Sequence, residues 1–340
     1  MFRQASSRSG GVGGGDATAR DRDRFGPLLK WAGGKRQLLP HLRRFYPNSF
    51  GRYLEPFFGS GAVFFDLFER GLLKGREALL IDSNTDLIGC YETVRDSPEA
   101  VAVALAELAE SRARLGQAHY YEVRDQRFNP ARVTHRGADG RIAYTPELAA
   151  MLVYLNRTGF NGLFRVNAGG GFNVPAGRYD RPQILDRARL YRVSEALSGD
   201  RVRLAWASFE LADDLAERGD FLYMDPPYAP LTATSRFTAY TASRFGTDDQ
   251  VKLQRLTVSL ARRGSHVLLS NSTAPEISAL YETSAEARRA GLKTFRVPAR
   301  RAINSDASRR GPIDEFLITN IVPGDNATSR DPASARRSTT

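Results

Sequence analysis

Residues 225–228, with the sequence DPPY, combine the side chains needed for chemistry on the amino group of a flat ring. Two prolines hold the chain extended and have no N–H, which leaves carbonyl oxygens free to accept hydrogen bonds. Asp225 and the Pro226 carbonyl can accept from an exocyclic amino group such as N6 of adenine. That nitrogen is a poor nucleophile because its lone pair is delocalised, and these acceptors favour a tetrahedral, reactive geometry. Tyr228 can stack on the base, which must first leave its duplex. The alternative is a proline turn after a strand.

Two further segments have residue types that suit a nucleoside ligand. Residues 55–61, EPFFGSG, place glycines after an apolar run, where they permit positive φ and close approach of a ligand to the backbone. The alternative is a purely structural strand-to-helix turn. Asp82 ends the next apolar run and can bind a ribose hydroxyl pair. The alternative there is a helix N-cap, since Asp82, Ser83 and Asn84 all cap well.

A fourth segment, residues 30–35 with the sequence KWAGGK, sets Trp31 between Lys30 and Lys35 in a glycine-rich loop. This composition suits a ligand with an aromatic ring or an anion, whereas a helix start with a packed tryptophan is the alternative. It is not a phosphate-binding P-loop, because Gly34-Lys35 lacks the upstream glycine and a following Ser or Thr.

Apolar runs that alternate with helical patterns must position these segments. We predict strands at 50–55, 78–81, 221–224 and 267–269, helices at 61–70 and 101–115, and a closing hairpin of 293–297 with 316–319. Strands that alternate with helices indicate an α/β protein with a mostly parallel sheet. All four chemical segments lie at strand ends or in loops, where ligands collect in open α/β sheets. Residues 144–191, rich in Gly, Asn, Arg and aromatics, interrupt the alternation.

Charge and composition narrow the class of partner. The net charge of +11 is carried mostly between the two ends of the chain and favours a polyanion, usually nucleic acid, although a membrane surface attracts the same sign. Cys90 is the only cysteine and the four histidines are scattered, so the pattern predicts neither a disulfide nor a metal site. No apolar run is long enough to predict a membrane span. Residues 1–24 and 323–340 have the composition of disordered tails.

In combination and in order, these segments resemble the Dam-type, or D12 class, adenine-specific DNA methyltransferases. The likeness covers residues 27–320 and is most characteristic at 155–167, LNRTGFNGLFRVN, and at 171–179, GFNVPAGRY. Residues 229–231, 237–240 and Ser270-Asn271 match as well. The resemblance implies a Rossmann-like, seven-stranded S-adenosylmethionine-dependent methyltransferase sheet with a smaller, mostly helical DNA target-recognition lobe. We assign 25–115 and 192–322 to the catalytic domain and 116–191 to the lobe.

The family pattern also implies residue roles. Methyl transfer to a flipped adenine would be catalysed, without a metal, by Asp225, Pro226, Pro227 and Tyr228. The cofactor would be S-adenosylmethionine, bound by Trp31, Lys35, Glu55, Phe57, Gly59, Gly61, Asp82, Asn84 and Asp225. Double-stranded DNA would be contacted by Lys30, Asn161, Leu163, Arg165, Pro175 and Arg178.

The implied target is GATC. Arg165 aligns with a family arginine that reads guanine, and arginine suits this task because it donates twice to O6 and N7. Phe160 stands where the family commonly has Tyr, and Phe164 replaces a smaller residue. We predict that part of a basic stretch contacts phosphates, and a solvated basic face is the alternative. The stretch comprises Arg288, Arg289, Lys293, Arg296, Arg300, Arg301, Arg309 and Arg310.

Other readings stay open at this stage. The DPPY tetrapeptide does not itself name the base, so cytosine N4 is an alternative target, and a protein glutamine is another. A homologue that binds DNA without catalysis is a further alternative. We expect a monomeric, cytoplasmic protein of a bacterium or phage, acting either alone or as the methylating half of a restriction-modification system.

Overall fold

The computed structural model describes residues 26–31, 33–228, 245–300 and 312–323. The strands in these ranges form one mixed sheet and are β1 Tyr53–Glu55, β2 Ala78–Asp82, β3 Val202–Trp206, β4 Phe221–Met224, β5 His266–Ser272, β6 Lys293–Arg300 and β7 Pro312–Thr319. Their spatial order is β3-β2-β1-β4-β5-β7-β6. The predicted α/β class and the seven-stranded sheet are confirmed. The predicted tails at 1–24 and 323–340 lie outside the described residues, except for Pro323.

Helices connect the strands and flank the sheet. In chain order they are α1 Leu39–Leu42, α2 Ala62–Glu69, α3 Thr85–Asp96, α4 Pro98–Leu115, α5 Ala118–Glu122, α6 Asn129–Thr134, α7 Pro146–Thr158, α8 Arg187–Leu197, α9 Leu211–Leu215, α10 Thr247–Arg263, α11 Pro275–Ile277 and α12 Ala285–Arg289. Helix α4 begins before the predicted residue 101 because Pro98, which has no N–H to lose, occupies its first turn.

The chain order of the strands creates a switch point between β1 and β4. The chain leaves β1 for β2 and β3 on one side, and then returns to place β4 and β5 on the other side. These five strands are all parallel, so their carboxyl ends share one edge. Helices leave in opposite directions at such a point, which opens a crevice where ligands bind in α/β sheets. Glu55, Asp82 and Asp225 lie at or directly after these carboxyl ends.

Strand β3 was not predicted from the sequence patterns. Its sequence, VRLAW, carries the exposed Arg203 in the middle of a short apolar run. Within the sheet, β3 pairs with β2 alone and lies at the edge, where one polar side chain costs little.

The closing hairpin forms as predicted and is longer than the apolar runs suggested. Strands β6 and β7 pair antiparallel from Lys293↔Thr319 to Arg300↔Pro312. Strand β7 also pairs antiparallel with β5, and the register sets Glu315 opposite Ser272. The amino end of β7 therefore reaches the same edge as the carboxyl ends of the parallel strands.

The region between α4 and α8 packs on one face of this sheet. Helix α7 is buried along almost its whole length, and its side chains join the cluster that includes Tyr53, Phe58 and Tyr91 of the sheet region. A short hairpin follows α7, with a bridge between Val166 and Phe172. The buried ring of Phe172 packs against Phe128 at 5.7 Å between ring centroids. Residues 155–179, which form the recognition segment of the predicted lobe, are thus held by the same core that supports the sheet.

Candidate active site

A buried ion pair lies at the switch point. The Lys35 Nζ lies 2.9 Å from Asp225 Oδ1, and Lys35 is only 7% exposed. Lys35 begins a 3-10 helix (Lys35–Gln37) after Gly33, which has a φ of 79°. Its ammonium also donates to the Gly33 carbonyl at 2.9 Å. The KWAGGK loop therefore folds back so that its second lysine reaches the DPPY segment.

A chain of hydroxyl groups contacts the same oxygen of the Asp225 carboxylate. Ser270 Oγ donates to Asp225 Oδ1 at 3.0 Å, and the buried Tyr223 hydroxyl lies 3.1 Å from Ser270 Oγ. Because Ser270 gives its proton to the carboxylate, Tyr223 donates to Ser270. Burial raises the pKa of Asp225, and the Lys35 ammonium opposes that rise. Asp225 is thus a half-buried acceptor with a fixed orientation.

Tyr228 is held by a residue that the sequence did not predict. Its hydroxyl donates to Glu315 Oε2 at 2.7 Å, and Lys35 Nζ lies 4.3 Å from the centre of its ring. Lys35 Nζ and Glu315 Oε2 are 4.0 Å apart. Burial, followed by the nearby carboxylates, raises the pKa of Tyr228 well above its usual value. The phenol therefore stays protonated and acts as a donor.

The backbone of the DPPY segment is also fixed. Gln250 Nε2 donates to the Pro227 carbonyl at 3.0 Å, and Asn271 Nδ2 donates to Gln250 Oε1 at 3.0 Å. Gln250 and Asn271 are buried. Ser270-Asn271 was a recognisable sequence match, but Gln250 lies inside an ordinary amphipathic helix and gave no signal.

Asp82 organises the glycine-rich loop between β1 and α2. Gly59 donates its backbone N–H to Asp82 Oδ2 at 2.9 Å, and Asn84 donates its own to Asp82 Oδ1 at 2.9 Å. The Asn84 side chain accepts from Leu87 N and caps α3, as the alternative reading of this segment predicted. Burial raises the pKa of Asp82, and the two backbone donors oppose that rise.

Trp31 lies between this loop and the recognition segment. Its ring stacks on Phe164 with 5.5 Å between centroids and 23° between planes. A Cβ on Gly59 would lie 3.2 Å from Trp31 Cδ1, so the loop packs directly against the indole. Gly59 and Gly61 have φ of 50° and 72°, which only glycine adopts without strain.

Two other predicted cofactor residues have partners in the protein interior. The buried Glu55 carboxylate accepts from the Tyr53 hydroxyl at 2.7 Å, and burial raises its pKa well above the usual value. The Phe57 ring stacks on Phe209 at 5.2 Å and meets Phe245 edge-on at 5.7 Å.

The predicted DNA-contacting residues fall into two neighbouring groups. The Lys30 backbone N–H donates to Asn156 Oδ1 at 2.8 Å, and Asn156 Nδ2 donates to the Lys30 carbonyl at 2.7 Å. Lys30 is exposed, and its Nζ lies 4.9 Å from the centre of the Tyr179 ring. Asn161 is exposed with a φ of 53°, the left-handed region that asparagine tolerates better than most residues. Leu163, only two residues further on, is half-buried.

The second group lies on the hairpin and the segment after it. Arg165 Nε donates to Asn173 Oδ1 at 2.6 Å, and Arg165 Nη2 donates to the Asn173 carbonyl at 3.1 Å. Pro175 is exposed and its carbonyl accepts from Phe160 N at 2.9 Å, which brings the two segments side by side. Arg178 is exposed as well.

In the basic stretch, Arg288, Arg289, Lys293 and Arg296 are exposed, and its contact with phosphates stays a prediction. Arg296 Nη2 lies 2.9 Å from Glu282 Oε2 and its guanidinium covers the Phe316 ring at 5.0 Å. Arg301, Arg309 and Arg310 lie outside the described residues, as do the segments 229–231 and 237–240.

The described residues contain neither a membrane-spanning helix nor a group of side chains for a metal ion. In ranges 26–31, 33–228, 245–300 and 312–323, no helix is long and apolar enough to cross a membrane. The same part of the chain contains no group of three or more His, Cys, Asp or Glu side chains that could hold a metal ion.

Comparison with known proteins matches the sequence to a family. Residues 31–296 match the family model described as D12 class N6 adenine-specific DNA methyltransferase. The type II methyltransferase M1.LlaDCHI of Lactococcus lactis subsp. cremoris is 38% identical over 297 residues, which cover 86% of this chain and 95% of that protein. The type II methyltransferase M.MjaIII of Methanocaldococcus jannaschii is 36% identical over 305 residues, or 86% and 98% of the two chains.

The DNA adenine methylase of Escherichia coli K12 is also similar, with 36% identity over 295 residues that cover 85% of this chain and 93% of the methylase. Both the matched family and these relatives are enzymes that methylate DNA, which agrees with the DPPY segment and its position at the switch point. The chain belongs to the D12 class of N6 adenine-specific DNA methyltransferases.

Proposed function

We propose that the chain transfers the methyl group of S-adenosylmethionine to N6 of an adenine in the duplex sequence GATC. The observation that carries the proposal is the Asp225 carboxylate, held by Lys35 and Ser270 at the switch point, with Tyr228 three residues further along the chain. An oriented, half-buried acceptor in the same short segment as an aromatic ring suits an exocyclic amino group on a flat base. The positive electrostatic balance of the chain supports a DNA substrate.

The residues around the glycine-rich loop fit S-adenosylmethionine. The loop combines left-handed glycines with a neighbouring indole and the carboxylates Asp82 and Asp225, which suit a cation that bears a nucleoside. A Cβ on Gly61 would lie 2.4 Å from the Phe58 ring, so the narrow turn excludes any side chain there. We assign cofactor contacts to Trp31, Lys35, Glu55, Phe57, Gly59, Gly61, Asp82, Asn84 and Asp225. When bound, the cofactor supplies a methyl group on a positively charged sulfur.

In this proposal the chain contributes orientation and polarisation. Asp225 and the Pro226 carbonyl accept hydrogen bonds from the adenine amino group and favour a nucleophilic nitrogen lone pair. Tyr228 stacks on the flipped base while Glu315 holds its hydroxyl. Gln250 fixes the Pro227 carbonyl and with it the direction of the neighbouring peptide. Preorganised groups of this kind lower a barrier because they need no rearrangement during the reaction.

Target selection would belong to the lobe at 116–191, with the catalytic domain at 25–115 and 192–322. Arg165 would read a guanine, and Lys30, Asn161, Leu163, Pro175 and Arg178 would make the other DNA contacts. One relative is named DNA adenine methylase, which supports adenine as the base. Two others are named type II methyltransferases. A DNA substrate also favours a cytoplasmic location, and we propose a monomer.

Identification of the methylated nucleoside tests the proposal. The protein is incubated with methyl-labelled S-adenosylmethionine and duplex DNA, which is then digested and separated into nucleosides. We expect the label in N6-methyladenine. Label in N4-methylcytosine would refute the assignment of the base, and no label despite measured cofactor binding would refute the proposed reaction.

A further inference from the structure

A second buried ion pair lies away from the candidate active site, between α3 and the region that precedes the hairpin bridged by Val166 and Phe172. We call this hairpin the recognition hairpin, because it belongs to the predicted recognition lobe. Arg132 Nε donates to Asp86 Oδ1 at 2.6 Å, and Arg132 Nη2 donates to Asp86 Oδ2 at 2.8 Å. The Tyr144 hydroxyl also donates to Asp86 Oδ1 at 2.8 Å. Arg132 is 4% exposed and Asp86 is 3% exposed. The two-point geometry fixes the plane of the guanidinium.

The remaining end of the guanidinium reaches the recognition hairpin. Arg132 Nη1 donates to the Gly170 carbonyl at 2.7 Å, in the turn that joins the two arms of the hairpin. Arg165 and Asn173 face each other on those arms. One side chain thus connects the hairpin that carries Arg165 to the helix that follows Asp82.

Asn129 supports the same hairpin from the same side. Its Oδ1 accepts from Phe172 N at 2.8 Å, and its Nδ2 donates to the Phe172 carbonyl at 3.0 Å. The hairpin is therefore tied at its turn by Arg132 and along one arm by Asn129. The arm that bears Arg165 takes its position from these anchors through the cross-strand bond between Asn173 N and the Arg165 carbonyl at 3.1 Å.

A buried ion pair of this kind gains little stability. Removing two charges from water costs about as much as their attraction returns, and apolar replacements are often neutral or stabilising. In some proteins a buried polar or ionic group instead fixes one arrangement of the elements that it joins. Here the geometry that it fixes is the distance and angle between the recognition hairpin and the sheet edge.

We propose that Arg132, held by Asp86, is a positioning residue for sequence discrimination: it aligns the recognition hairpin so that Arg165 meets its base. This inference rests on the proposed function and adds a residue that has no contact with the candidate active site. Loss of the bridge leaves the chemical step intact and misplaces the base-reading side chain.

The chain supplies a matched control. Arg141 also comes from the region before α7 and also pairs with an acid of α3, since its Nη2 donates to both Glu92 oxygens at 2.8 Å. That pair is largely exposed, and Arg141 has no hydrogen bond to the hairpin among the described contacts. Arg141→Gln therefore removes an arginine–carboxylate pair between the same two regions without releasing the hairpin.

The test measures kcat and KM on a GATC duplex and on duplexes with each base pair of the site replaced in turn. The discrimination ratio is kcat/KM on the GATC duplex divided by kcat/KM on an altered duplex. We expect Arg132→Gln to lower this ratio about tenfold, through a higher KM for the GATC duplex, because a misplaced base-reading arginine loses its bidentate contact. Arg141→Gln should keep the ratio of the wild type. If Arg132→Gln does not fold, the same ratio is measured in Arg132→Lys, which retains the buried cation and lacks the planar guanidinium. The same decrease is expected.

The outcomes separate this inference from the proposed function. An unchanged ratio in a folded Arg132 variant, with a discriminating wild type, would overturn the positioning role alone. A wild type that methylates all duplexes equally would overturn the GATC assignment and the inference with it. Loss of S-adenosylmethionine affinity in parallel with the ratio would point to general loosening and would also overturn the positioning role.

Discussion

The Lys35 ammonium lies 2.9 Å from the Asp225 carboxylate, and this pair joins the loop that precedes the sheet to the end of its central strand. Burial alone would favour a neutral Asp225, and the ammonium favours the charged form. Lys35 also lies close to the Tyr228 ring and to Glu315. One lysine thus sets the electrostatic environment of the whole DPPY segment.

The first prediction concerns pH. Lys35→Met removes the cation that most strongly opposes the effect of burial, so the pKa of Asp225 rises further and more of the carboxyl is protonated at a given pH. If methyl transfer needs the ionised Asp225, the acidic limb of the kcat/KM profile moves to higher pH. The control is Lys252→Met, at an exposed lysine of α10. An acidic limb at the same pH in both variants would contradict the role of Lys35.

The second prediction concerns Glu315 and Tyr228. Glu315→Gln weakens the 2.7 Å hydrogen bond and Tyr228→Phe abolishes it. Each should slow the single-turnover rate about tenfold, since such bonds to charged groups are worth about 1.5–3 kcal/mol. Because both act on one contact, the double variant should be about as slow as either single variant. If the double variant were slowed by the product of the two single effects, the two side chains would act independently.

The third prediction concerns stability. Ser270→Ala leaves the buried Tyr223 hydroxyl without the acceptor that lies 3.1 Å away. An unsatisfied buried hydroxyl costs about 1–3 kcal/mol, so the free energy of unfolding in urea should fall by that amount. The added substitution Tyr223→Phe should recover part of the loss, because it removes the stranded group. A double variant less stable than Ser270→Ala would contradict the proposed hydroxyl chain.

The fourth prediction concerns the glycine-rich loop. Gly59→Ala places a Cβ 3.2 Å from Trp31 in a left-handed conformation, and Gly75→Ala introduces similar backbone strain with nothing within 4 Å. Both should lower the unfolding free energy by about 1–2 kcal/mol. Only Gly59→Ala should weaken S-adenosylmethionine binding, by about tenfold in calorimetric titration, because it presses on the indole. Equal affinities in the two variants would remove this loop from the cofactor site.

Local patterns were sufficient for much of the fold. The strand at 221–224 has the bounds that its apolar run predicted, because a buried central strand leaves no room for polar side chains. The closing hairpin was recognisable from two apolar runs and is extended by pairing beyond them. Strand β3 was missed because Arg203 breaks its pattern at an edge where exposure is tolerated.

The parts of the site that the sequence did not reveal depend on long-range pairing. Glu315 reaches Tyr228 only because β7 runs antiparallel to β5 in one particular register. Likewise, Arg132 meets Asp86 through packing between distant helices, and neither residue has a local motif. Motifs identify residues that act through their own type and spacing, whereas supporting residues are identified by geometry.

The central claim is that the switch-point site around Asp225 methylates adenine in GATC, and paired duplexes test it most directly. One duplex contains GATC and the other has that site scrambled, each incubated with labelled S-adenosylmethionine and either the wild type or Asp225→Ala. We predict N6-methyladenine in the GATC duplex alone, with none from the Asp225→Ala protein. Equal labelling of both duplexes would contradict the target, and undiminished labelling by Asp225→Ala would contradict the site.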